Sequence, residues 1–218
     1  MAKKRKKKKS GGATPPKLTP QKYIQTRARK LPFYKCLVSE GWKDSGMAVV
    51  MIARQQGGEK LVVGMYLLDI WCLGLKDTHY QFRMDNFEFE NEFLPRMYNA
   101  RDVEPEEVDP VYAQNLIYGA IEYAENLGFA PHKDFKITER ILDPADSLEE
   151  IEFEFGKDGM PHYMAGPHDN FEKILHTLAR NLGMDNFKYT IPWMQGQEEN
   201  IEEEKDEGFA ENVDFEEV

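Results

Sequence analysis

The chain has 218 residues, 28 of them Lys or Arg and 39 Asp or Glu, for a net charge of -11; 41% are apolar. That length and apolar share fit one domain with tails and exclude wholesale disorder. No run approaches the ~18 apolar residues of a membrane span, and Cys36 and Cys72 stand apart without metal spacing, which points to a reducing, cytoplasmic setting.

Charge sets the first elements. Residues 1–30 carry 12 Lys and Arg and no acid. Lys3, Lys4, Arg5, Lys6, Lys7, Lys8 and Lys9 form an unbroken cationic run, followed by Gly11, Gly12, Pro15 and Pro16. Such a run repels itself and stays solvated, and the Gly and Pro residues read as a linker. Residues 1–22 are therefore expected to be a disordered basic arm that binds phosphates without sequence specificity. A short basic helix follows, with Thr19 as its cap and Pro20 at its first position, closed by Pro32. Tyr23, Arg27, Arg29 and Lys30 extend the nucleic-acid-binding set, because aromatic and guanidinium groups stack on exposed bases.

Residues 23–195 read as a single α+β domain. FYKCLVSEG (33–41), MAVVMIARQ (47–55) and LVVGMYLLDIWCLG (61–74) are rich in strand formers, and QGGEK between the last two is a hairpin signal. They predict an antiparallel three-strand meander. Residues 85–108 hold Phe87, Phe89, Phe93 and Leu94 between prolines and read as a loop or short helix laying aromatics on the core. Asp109, Pro110 and Gly128 then bound the clearest helix in the chain. Its Ala113, Leu116, Ile117, Ala120, Ile121, Ala124 and Leu127 keep one apolar stripe, with small residues that allow close approach to a sheet. IEFEFG (151–156) alternates as a strand, and MPHYMAG (160–166) is expected to pair with it across a KDG turn. A second helix begins at an Asp169 cap, with Glu172 three residues on, and ends at Gly183; NFKYTIP (186–192) supplies a last strand. Residues 196–218 form an acidic tail, expected to be disordered, with 11 acids and Lys205 as the lone base.

Signatures of known chemistry are mostly missing: there is no GxGxxG, GxxxxGK[ST], HExxH or GxSxG. Asp69 interrupts an apolar strand, and a buried carboxylate must be paired, hydrogen-bonded or metal-bound. One reading pairs it with Asp77 around a divalent cation; the other has it tie down a bulge. Gly166 and His168 are an anion-binding candidate, since free amides at a helix start attract anions and His168 adds a proton-dependent contact. The competing reading fills those amides with the Asp169 carboxylate.

The order β-β-β-α-β-β-α-β over residues 33–192 resembles a ribonuclease H-like scaffold. In that fold, carboxylates on the first strand, the first helix and the following strand hold two metal ions. The resemblance implies a metal-dependent phosphodiesterase or nuclease using Glu40, Asp69, Asp77 and Glu122. Separately, YLLDIWCLGLKDT, IYGAIEYAENLGFAPHKDF and AGPHDNFEKILHTLARNLG, within residues 61–190, resemble segments of a bacterial protein family without assigned activity. The leading expectation is a non-enzymatic module bound through its basic arm to RNA or a ribonucleoprotein. No cofactor and no membrane are expected, and a divalent metal enters only in the nuclease alternative. In the leading reading the acidic body meets a protein partner or limits binding to sites that the arm alone reaches; a third reading is a protein-interaction or assembly factor whose arm only aids solubility.

Overall fold

Long runs of β-branched and apolar residues, apolar at even and odd positions alike, demand a sheet covered on both faces. The computed structural model describes residues 18–193, and its mixed α+β architecture has such a sheet at the centre. Helix α1 (Pro20–Arg27) comes first, with the Thr19 hydroxyl accepting from the Lys22 N–H, and a short turn Ala28–Lys30 continues it. Strand β1 (Phe33–Ser39) follows, then the one-turn helix α2 (Trp42–Ser45), β2 (Met47–Gln56) and β3 (Lys60–Asp69). A fourth strand, β4 (Gly74–Asp85), extends the expected meander. The helical stretch α3 (Asn86–Glu88), a π-turn Phe89–Phe93 and α4 (Leu94–Asn99) lead to β5 (Pro105–Glu107). The sheet order is β4-β3-β2-β1-β5, antiparallel throughout.

Alternation along these strands separates two apolar layers. Val50, Ile52, Val62, Tyr66 and Leu68 face helix α5 (Pro110–Leu127), whose predicted stripe is buried in full. Asp109 caps α5 and Gly128 ends it, as the sequence predicts. Val49, Met51, Leu61, Val63 and Met65 instead lie under Phe89, Phe93, Leu94 and Tyr98. The aromatic-rich segment between the prolines is thus the lid of the sheet's second face.

Gly74 sets how closely α5 approaches the sheet. Its φ is +64°, and a Cβ there would lie 2.6 Å from the Ala120 carbonyl oxygen and 2.5 Å from the Ala124 methyl. Backbone cannot yield as a flexible side chain does. Gly74→Ala is expected to lose about 2–4 kcal/mol, from left-handed strain plus overpacking, read as a lower urea midpoint at unchanged m.

Helix α6 (Phe135–Thr138) and the turn Glu139–Ile141 pack beside α1. The rest of the chain builds an annex: β6 (His162–Met164), α7 (Phe171–Leu182) and β7 (Lys188–Thr190). A third apolar cluster, including Cys72, Leu127, Tyr163, Leu178 and Phe187, joins it to the end of α5.

Several expectations change here. Residues 151–156 form no ladder; β6 pairs in parallel with β7 instead, leaving only the bridge Lys157–Met160 at the expected turn. The ends of 151–156 are tied by the Ile151 N–H to Asn115 Oδ1 and the Gly156 N–H to the Ile70 carbonyl, and rings hold the middle, with Phe153 against Trp42 and Tyr112 and Phe155 stacked on Tyr123. The cap of α7 is Asn170, whose side chain accepts from the Lys173 N–H, while Asp169 turns elsewhere. Because α1 starts at Pro20 and buries Ile24 and Ala28, the folded part begins ahead of the boundary expected at residue 22. A fourth strand and β5 precede α5, and the strands after it form their own two-stranded sheet, so the observed order departs from the β-β-β-α-β-β-α-β expected of a ribonuclease H-like scaffold.

Candidate functional site

Lys3, Lys4, Arg5, Lys6, Lys7, Lys8 and Lys9 lie outside the described residues, as does the acidic tail from residue 196. Their described continuation is α1, a helix with no acid, on which Lys22, Arg27 and Lys30 just beyond it are exposed. The adjoining α6 and its following turn add exposed Lys136 and Arg140. These adjoining elements therefore carry five exposed cations on a chain whose net charge is strongly negative.

Two of the residues assigned to base stacking are committed to the fold. The Tyr23 ring packs 5.2 Å from Phe82, and the Arg27 guanidinium lies 5.8 Å from the Tyr23 ring centre. Arg29 donates from Nε to the Leu142 carbonyl and from Nη2 to the Glu139 carbonyl. Arg54, 2% exposed, donates to the Ile141 and Leu31 carbonyls and to the Asp143 carboxylate. Arg54 pins the Glu139–Asp143 stretch to the sheet, and Arg29 pins the turn after α1 to the same stretch. Arg27 and Lys30 keep their charges in water, which suits phosphate contact better than stacking.

The carboxylates grouped by the nuclease alternative are dispersed. Glu40 is exposed just after β1, where its N–H donates to the Glu104 carbonyl, and Glu122 is exposed on α5. Asp77 is exposed on β4, with His132 Nε2 3.9 Å from its Oδ1. Asp69 is buried, and its Oδ1 accepts from the Trp71 and Cys72 N–H groups at 3.0 and 2.9 Å. It ties down the turn between β3 and β4. Among the described residues, no group of three or more His, Cys, Asp and Glu is disposed to hold a metal ion. Burial raises both thiols, Cys36 to about 12, so neither is a nucleophile at neutral pH.

The loop around Gly166 is also filled from within. Asp169 Oδ2 accepts from the Gly166 N–H at 2.9 Å, from Tyr163 Oη and from Lys76 Nζ, both at 3.2 Å. Burial pushes this carboxyl up, but the amide and Lys76 outweigh it and hold it below the usual carboxylate range. His168 is exposed beside it. A carboxylate already stands where an anion would bind.

A cleft of about 950 Å³, marked by no motif in the sequence, lies between residues 151–159 and the pair Lys43–Asp44, floored by Ile70, Trp71 and Tyr112. The aromatic alternation of IEFEFG signals an extended segment, but no strand among the described residues pairs with it, so its edge is open. No protein-family model, curated protein or solved structure matches this chain. Among the described residues no helix is long and apolar enough to cross a membrane.

Proposed function

We propose that this protein is a non-enzymatic nucleic-acid-binding module that engages RNA or a ribonucleoprotein through its lysine-rich leader and the exposed cations of α1. The observation that carries the reading is the continuity of charge. A leader with seven consecutive cations runs into a helix that has no acid and keeps Lys22, Arg27 and Lys30 in water. Such a surface binds by releasing counterions from phosphates, so affinity falls steeply with salt. The acidic remainder repels the same polymer and restricts contact to this end of the molecule.

The test is fluorescence anisotropy with a 20-nucleotide single-stranded RNA across a salt series. Contact with about five phosphates gives a slope of roughly -3.5 in log K against log salt. A chain starting at Leu18 keeps the Thr19 cap and every described contact. Its affinity is expected to fall at least tenfold with a flatter slope. Arg27→Glu should weaken binding severalfold. Unchanged affinity in the shortened chain, or no binding near physiological ionic strength, overturns the proposal.

A further inference from the structure

The edge of residues 151–155 calls for an occupant. Ile151, Phe153 and Phe155 turn inward and Glu152 and Glu154 outward, the alternation of an extended strand. The Ile151 N–H is held by the Asn115 side chain. From Glu152 to Phe155, no backbone N–H or C=O has a hydrogen-bond partner among the described residues. Unpaired strand edges accept further strands, which is how many domains capture extended peptides. The neighbouring cleft of about 950 Å³ leaves the room for one.

We infer that residues 3–9 of this chain's own leader dock along Glu152–Phe155 as an added strand. Charge decides between occupants. A second copy of the same segment would set glutamates against glutamates, which destabilises paired strands. A lysine-rich strand instead meets Glu152 and Glu154, with Glu149, Glu150 and Asp158 exposed at the ends. The two cations on the cleft, Lys43 and Lys157, lie over the Trp42 and Trp71 rings at 5.4 and 4.6 Å, and Asp44 and Asp158 stand beside them.

The tether is residues 10–17, the eight residues between the docked run and Leu18; extended they span roughly 26 Å, against a radius of gyration of about 16 Å for a domain of this size. A tether of that kind supplies a millimolar effective concentration, so a site with an intrinsic Kd of ~0.1 mM is about nine-tenths occupied.

Hydrogen exchange on the full chain, without nucleic acid, tests the docking separately from RNA binding. At about 50 mM salt, the amides of residues 152–155 should exchange roughly five- to tenfold more slowly than in the full-length variant Lys6→Glu, Lys7→Glu, Lys8→Glu. The difference should vanish near 1 M salt, where the Debye length is about 3 Å. Glu152→Gln with Glu154→Gln, both at exposed positions, should release the same amides without moving the unfolding midpoint. Equal rates in the native chain and the lysine variant, or protection that scales with protein concentration, overturn the inference. Because the readout contains no polyanion, failure here leaves the RNA titration standing, and the converse holds.

Discussion

Arg54→Ala is expected to lower the unfolding free energy by about 3–5 kcal/mol, a fall in melting temperature on the order of 10 °C. The side chain is buried in β2, with its Cζ 3.8 Å from the Phe33 ring centre. It satisfies three acceptors that belong to different parts of the chain: the Ile141 carbonyl, the Leu31 carbonyl and Asp143 Oδ1 at 2.7 Å. Burial alone would make the guanidinium easier to deprotonate, and the Asp143 carboxylate opposes that. Truncation leaves two carbonyls without a donor, opens a cavity and frees the stretch that seats α1. Arg54→Lys keeps the charge but cannot fork to three acceptors, so about half of the loss remains. Asp143→Asn should cost less than Arg54→Ala, because Asp143 is partly exposed and its Oδ1 can still accept. Urea unfolding followed by circular dichroism ranks the three. A loss below about 1 kcal/mol in Arg54→Ala would show that the loop is held by other means.

The arginine is also a measure of what the sequence discloses. Helix α5 was legible to the residue, because cap, proline, stripe and terminal glycine all act within the helix itself. Strand β4 was not, since an edge strand has one partner and keeps polar residues such as Lys76, Asp77 and Arg83. Its signal is the alternation Thr78, Tyr80, Phe82, Met84, spread among charges. The partner of β6 depended on distant chain: β7 lies 24 residues on, beyond any local turn chemistry. The same limit applies to the site. The charge of α1 could be read directly, whereas the capture of Arg29 by carbonyls 110 and 113 residues away could not. Composition locates a basic face. Only packing shows which of its cations still face water.

Asp69 gives the second large effect, through pH. Burial pushes its carboxyl up to about 6, against the pull of Lys76 and of the Cys72, Trp71 and Leu73 amides. An unfolded aspartate titrates near 3.9. Between these values the folded chain binds the proton and the unfolded chain does not, so stability falls as pH rises from about 4 to about 6. Below that window both states are protonated and the contribution is fully present; above it the contribution is lost. A gap of two units corresponds to roughly 3 kcal/mol. Asp69→Asn keeps an oxygen for the Trp71 and Cys72 amides but carries no charge. The variant and the native chain should be alike in stability near pH 4, and the variant more stable by roughly 2 kcal/mol at pH 7. Subtracting one stability–pH curve from the other cancels the carboxylates and histidines they share. A flat difference between pH 4 and 7 would mean that Asp69 titrates alike in both states, and that its two amide bonds fully offset its removal from water.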